Sequence, residues 1–183
     1  MENPNDRYCV ERVLDGETEL FSVLVGRYHE PLYVWVLRIT CNREDAEEVV
    51  QDTFLKAFRS LRGFRGRSGF RTWLYRIAYN TAVSAVRRRK QPCMAIDEGR
   101  LADLSDGADE PYFRTLREER LDRLEQALER LPADDRALVG LFYEQQVPVA
   151  EAARITGLSE SNVKTRLFRI RGRLYRWMTE KEE

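Results

Sequence analysis

Between Gly63 and Arg71 the chain reads Gly63-Phe64-Arg65-Gly66-Arg67-Ser68-Gly69-Phe70-Arg71, and the helically spaced stretch behind it puts Trp73, Arg76, Asn80 and Arg87 on one face. These residue types suit unstacked single-stranded bases. Rings stack on base faces, an amide hydrogen-bonds base edges, and guanidinium groups hold phosphate. Taken alone the stretch resembles an RNA-binding low-complexity tract, but it is short and a well-formed helix follows at once. Trp73 also has the character of a core aromatic, and Asn80 that of a surface amide.

A second set of residues, Pro148 to Leu174, suits duplex DNA. Val149 to Ile155 forms a short amphipathic helix with small Ala153 where two helices would cross. Gly157, four residues on, can take the positive φ of a tight turn, and Ser159 can cap the next helix. Val163, Leu167, Ile170, Leu174 and Trp177 then step along one side of that helix, while Lys164, Thr165, Arg166, Phe168, Arg169, Arg171, Arg173 and Arg176 occupy the rest. The pattern predicts a helix-turn-helix whose second helix enters a major groove.

The elements that hold these residues read as helices throughout. Ala46, Val49, Val50, Thr53, Phe54, Ala57, Phe58 and Leu61 make a continuous stripe. Upstream, Leu20, Val23, Leu24 and Tyr28 repeat the pattern before an apolar run from Leu32 to Ile39, and Pro31 separates or kinks the two. Helical spacing resumes at Leu74, Ile77, Ala78, Thr81, Ala82 and Ala85. No period is visible from Gln91 to about Phe113, where Pro92, Gly99, Gly107 and Pro111 lie among acidic residues. A second helical unit starts near Leu116 with Leu121, Leu124, Leu128 and Leu131, Pro132 closes it, and another helix covers about Asp134 to Gln145. The expected fold class is all-α: two small helical domains joined by a flexible acidic linker, with residues 1–91, 92–115 and 116–183 as the three parts.

Charge segregates along the same boundaries. The chain of 183 residues has 31 basic and 31 acidic side chains and a net charge of zero. Yet residues 1–55 carry 5 basic and 12 acidic groups, residues 56–90 carry 11 basic and no acidic ones, and residues 91–135 carry 6 and 13. Six cations and no acid lie between Ser161 and Met178. Two cationic blocks separated by acidic stretches predict two sites on one polyanion, nucleic acid.

Other function classes find little support. Cys9, Cys41 and Cys93 are far apart and His29 is the only histidine, so neither a metal site nor a cofactor is expected, and the thiols read as ordinary residues of a reducing cytoplasm. No HExxH or P-loop occurs, and residues 56–90 offer no carboxylate for a catalytic metal, so no catalytic residue is expected. No stretch approaches the roughly 20 apolar residues of a membrane span. The opening Met1-Glu2-Asn3-Pro4-Asn5-Asp6 lacks the pattern of a secretory leader, which predicts a cytoplasmic protein.

The stretches Asp45-Ala46-Glu47-Glu48-Val49-Val50-Gln51-Asp52-Thr53-Phe54, Phe64-Arg65-Gly66 and Phe70 to Asn80 closely resemble region 2 of the extracytoplasmic-function sigma factors of the sigma-70 family. Leu131-Pro132 and the helix-turn-helix with Val163-Lys164-Thr165-Arg166-Leu167 are similar to their region 4. The resemblance implies a bacterial transcription initiation subunit that joins core RNA polymerase at promoter DNA and is restrained by an anti-sigma factor, often membrane-bound, without itself entering a membrane. It implies that Glu48, Gln51, Asp52 and Phe54 dock on the polymerase; spacing alone gives these four as an ordinary polar helix face. By position, Phe64, Arg71, Trp73, Arg76 and Asn80 would open and read the −10 element, and Lys164, Thr165, Arg166, Phe168 and Arg169 would meet the −35 element. Arg67 and Arg71 make the loop more cationic than the family pattern, and Pro148 stands where Ser or Thr often begins the first helix of the pair.

In this reading the chain does no covalent chemistry: it supplies position and the polymerase supplies catalysis, at a small set of stress or metal-resistance promoters. Within the family the chain is similar to the sigma factors of cobalt–nickel resistance systems, although none of the residues above carries metal specificity. A conventional helix-turn-helix regulator would account for residues 132–178 and leave the N-terminal block unexplained. A nucleic-acid enzyme would need catalytic groups that the motifs do not supply.

Overall fold

The structure is a computed structural model that describes residues 5–89 and 111–179. Every regular element among the described residues is helical, as the sequence pattern requires. Helix α1 (Asp6–Leu14) begins where the Asn5 side chain accepts the Tyr8 amide at 2.8 Å. Its Asp6 carboxylate holds Arg27 and the Tyr28 hydroxyl, which tie α1 to the next helix. That helix, α2 (Phe21–Thr40), runs straight through Pro31, so the two apolar runs are one element. The proline has no N–H to donate one turn back, and the buried side chains on either side of it hold the helix together. Cys41 closes α2 in the left-handed region at φ 50°, and Asn42 caps α3 (Arg43–Ser60) through the Asp45 amide at 2.9 Å.

Helices α2 and α3 pack with α4 (Phe70–Arg89) into an N-terminal bundle. The expected stripe of α3 is buried from Ala46 through Ala57, except that Phe58 emerges at the surface. Helix α4 is buried on more than one side. Thr81 meets Lys56 of α3, while Thr72 and Tyr79 meet the C-terminal half of the chain. The helix therefore has little amphipathic contrast, although its sequence reads as a single apolar stripe.

Helix α5 (Pro111–Glu129) opens inside the stretch expected to be linker, five residues ahead of Leu116; residues 92–110 of that linker lie outside the described residues. Helix α6 (Ala133–Val139) does not continue to Gln145 as its periodicity predicts. It widens into a π turn over Gly140–Glu144, where the Gln145 amide donates to the Gly140 carbonyl at 2.9 Å. Helices α7 (Val149–Thr156) and α8 (Glu160–Thr179) complete the chain.

The two halves share one continuous core, because α2 and α4 pack on α6 and α7. Trp35 of α2 is fully buried and donates its indole N–H to the Ala137 carbonyl at 3.1 Å. A Cβ added at Gly140 would lie 2.7 Å from the Trp35 ring, so the π turn starts where only glycine fits. Arg136 donates to the Ile39 carbonyl at the end of α2 (2.7 Å) and to Glu129 (3.2 Å) and Leu131 at the end of α5. One guanidinium thus meets carbonyls at the negative ends of two helices. Burial pushes its pKa down, and Glu129 opposes that shift.

Candidate nucleic-acid interface

The helix-turn-helix forms as its local chemistry dictates. Gly157 takes φ 75°, Ser159 accepts the Asn162 amide at 3.2 Å, and Val163, Leu167 and Ile170 are buried against α6 and α7. Pro148 begins α7 without a side-chain cap, and its carbonyl accepts the Glu151 and Ala152 amides at 2.9 Å. On the outer side of α8, Lys164, Thr165, Phe168 and Arg169 are exposed together, Phe168 to 72%. A solvent-facing ring beside cations can pack on a thymine methyl while the cations hold phosphate or guanine edges. Arg166 differs from its neighbours: its Nε donates to the buried Asp135 carboxylate at 2.6 Å.

The five residues expected at the −10 element separate into three settings. Phe64 and Trp73 are half-buried in a ring cluster with Phe70, their centroids 5.1 Å apart. Arg71 lies over the Tyr75 ring at 5.4 Å and donates to the Gln145 side chain at 3.1 Å, while Arg76 donates to the Arg154 carbonyl at 3.2 Å. Both arginines therefore face the C-terminal half of the chain. Asn80 alone lines an open groove between α3 and α4, together with Lys56, Arg59, Ser84 and Arg88. Three cations, an amide and the hydroxyls of Ser60, Thr81 and Ser84 along one groove form a suitable track for a phosphate backbone.

The acidic side of α3 is likewise divided. Glu48 and Gln51 are exposed, whereas Asp52 pairs with Lys56 at 2.7 Å. Phe54 is turned inward, edge-on to Phe21 at 6.5 Å and stacked with His29 at 6.4 Å. It holds α3 against α2 and is largely buried, at 8% exposure. The exposed apolar groups of this surface are instead Leu55, 54% accessible, and Phe58.

Residues 24–91 match Sigma-70 region 2, and residues 121–174 match Sigma-70, region 4. The RNA polymerase sigma-H factor of Pseudomonas aeruginosa is 32% identical over 173 residues, 91% of this chain and 90% of that protein. The ECF RNA polymerase sigma-E factor of Escherichia coli is 34% identical over 177 residues, 93% and 92% of the two chains. The chain belongs to the extracytoplasmic-function sigma factors. CnrH, solved in complex with the cytosolic domain of CnrY, superposes on this sigma factor with a TM-score of 0.68 at 26% identity, covering 93% of this chain and 95% of that one. RpoE of Bartonella quintana, solved with the anti-sigma factor NepR, shares the fold at 23% identity and a TM-score of 0.63, over 88% and 98% of the chains.

Within this sigma factor, region 2 comprises α2 to α4, and region 4 begins inside α5. Region 4 covers part of region 2: besides Arg71 and Arg76, Thr72 donates to Glu151 at 3.4 Å and the Tyr79 hydroxyl donates to Asp134 at 2.9 Å. Burial first, then that hydrogen bond, pushes the Tyr79 hydroxyl up to about 12. No motif or spacing in the sequence singles out Asp134, Asp135 or Arg136. Their adjacency after Leu131-Pro132 is the one signal it holds, and adjacency does not say which helix each faces. No helix among the described residues is long and apolar enough to cross a membrane.

Proposed function

We propose that this sigma factor directs core RNA polymerase to a small set of stress or metal-resistance promoters. Residues 1–91 hold the polymerase and the opened −10 strand, residues 116–183 hold the −35 duplex, and residues 92–115 join them. The observation that carries this reading is the presence, on one chain, of two unlike cationic surfaces. One is the exposed outer side of α8 behind a formed helix-turn-helix, and the other is the open α3–α4 groove around Asn80. A convex helix suits a major groove, and a cationic channel suits a single strand.

Lys164, Thr165, Phe168 and Arg169 meet the −35 element. Asn80 contacts bases in the groove, with Lys56, Arg59 and Arg88 beside it on phosphate. Phe64 and Trp73 shape the loop that captures a flipped base, and capture offsets unstacking of a few kcal/mol. Arg71 and Arg76 join the strand once they leave Gln145 and Arg154. Glu48, Gln51 and Asp52 dock on the polymerase, with exposed Leu55 and Phe58 as apolar anchors.

The chain catalyses no reaction and works in the cytoplasm. Its regulator is an anti-sigma factor anchored in the membrane, consistent with the structural likeness to CnrH bound to the cytosolic domain of CnrY. A conventional regulator acting without polymerase would leave the groove and the acidic face of α3 idle.

Run-off transcription with purified core polymerase on a genomic promoter library tests the proposal. Discrete start sites that depend on the protein are expected. Duplex binding without any protein-dependent start site would overturn it in favour of the conventional regulator.

A further inference from the structure

Asp135 sits in the first turn of α6 with its carboxylate only 4% exposed, yet it serves none of the surfaces described above. Both of its oxygens are taken by α8. Oδ1 accepts from Arg166 Nε at 2.6 Å, and Oδ2 accepts from Arg173 Nη2. Arg166 and Arg173 are seven residues apart, two turns along one edge of the helix, immediately beside the buried line of Val163, Leu167 and Ile170. A second carboxylate, Asp134, stands 3.8 Å from Arg166 and 3.6 Å from Arg87 of α4, and accepts the Tyr79 hydroxyl.

We propose that Asp135 is the positioning residue of the −35 helix, and that Arg166 and Arg173 are its partners and not DNA contacts. The apolar stripe fixes the depth of α8 against α5, α6 and α7, but apolar packing is non-directional and permits small rotations. Two charge-assisted hydrogen bonds from one buried carboxylate, spaced along the edge, fix rotation about the helix axis. That rotation decides which side chains point outward: Lys164, Thr165, Phe168 and Arg169. The pairing also removes two of the six cations between Ser161 and Met178 from those available to phosphate. This inference rests on the reading of α8 as the −35 helix.

The test uses the full-length chain on duplexes carrying a −35 element recovered from the run-off screen, or a scrambled version of it, across a salt series. A cation that meets phosphate contributes about 0.9 to the slope of log affinity on log salt. Lys164→Gln should lower the slope by about that amount. Arg166→Gln should weaken binding and leave the slope unchanged. Asp135→Asn should reduce discrimination between the two duplexes by about tenfold or more, since recognition of even one base pair depends on side-chain aim. Asp135→Glu should restore part of it. Arg173→Gln provides a second variant should Asp135→Asn fail to fold, and it should narrow discrimination in the same way.

A slope drop for Arg166→Gln equal to that of Lys164→Gln would make Arg166 a DNA contact and overturn the proposal. Undiminished discrimination in folded Asp135→Asn, or in Arg173→Gln, would do the same. Failure of the wild-type chain to distinguish the duplexes would instead remove the −35 reading itself.

Discussion

Trp35, in the middle of a region 2 helix, donates its indole N–H to the carbonyl of Ala137 in region 4, 3.1 Å away, and is fully buried there. The largest fully buried side chain of the N-terminal bundle is thus completed by the other domain. An aromatic in that position contributes several kcal/mol through burial, and it leaves an unpaired donor if the partner withdraws.

Gly140 lies against the same ring. Gly140→Ala places a Cβ 2.7 Å from Trp35 Cδ1, which is closer than real contacts allow. Overpacking of this kind costs about 1–3 kcal/mol. Denaturant unfolding should move to lower midpoint by that amount, and Trp35 fluorescence should report a changed environment. An unchanged midpoint would mean that the π turn shifts freely.

The hydrogen bond from Tyr79 to Asp134 gives the contact between regions 2 and 4 a pH dependence. The folded hydroxyl titrates near 12, against 10.0 for an ordinary tyrosine. A raised folded pKa means that the contribution is fully present below pH 10 and disappears as pH climbs through 12. The stability difference between wild type and Tyr79→Phe should therefore be constant from pH 7 to 9, then shrink in more alkaline solution. Thermal melts of both proteins across that range provide the check, and a difference that grows with pH would contradict it.

The −10 role proposed for the groove around Asn80 predicts that two steps of initiation separate. Asn80→Ala and Arg59→Ala should each weaken capture of a single-stranded −10 oligonucleotide, by roughly 1–3 kcal/mol where a base contact is lost. Binding to closed −35 duplex should stay at the wild-type level. Permanganate footprinting of opened promoter, beside gel shifts of the duplex, distinguishes the two. Equal losses in both assays would argue against a role for the groove in opening.

Leu55 is exposed on α3 beside Gln51, and nothing in the fold requires its side chain there. Leu55→Asp should leave stability within about 0.5 kcal/mol of wild type. Its affinity for core polymerase should fall by about tenfold or more, as expected for an apolar anchor. Titration of labelled protein with core enzyme measures this directly.

Where the determining chemistry is local, the sequence is a sufficient guide. Ala153, Gly157, Ser159 and Val163 specify the helix-turn-helix within eleven residues, and the cation-rich outer side of α8 follows from the same stretch. The charge blocks likewise mark both candidate surfaces. What escapes is set by partners distant in sequence. Arg166 has the spacing of a base reader, and its hydrogen bond to Asp135 of another helix is not legible from that spacing. Phe54 belongs to the apolar stripe legible in α3, but its ring partners, Phe21 and His29 of α2, are set by the packing of another helix. The end of α6 lies at Gly140 against the Trp35 ring, and no periodicity within α6 carries that contact. Helix α4 reads as one-sided because its second buried side is made of Thr72 and Tyr79, whose polar atoms find partners only in region 4.

Arg71 and Arg76 hold region 4 through Gln145 and the Arg154 carbonyl. A guanidinium so engaged cannot also grip a phosphate in the same direction, so any polyanion that takes these two groups must displace Gln145 from Arg71 and α7 from Arg76. Occupancy of α4 by nucleic acid and its occupancy by region 4 are thus coupled with a negative sign, and linkage makes the antagonism mutual. Whatever tightens the seam between the domains weakens the grip of α4 on a strand by the same factor, even if it never touches DNA.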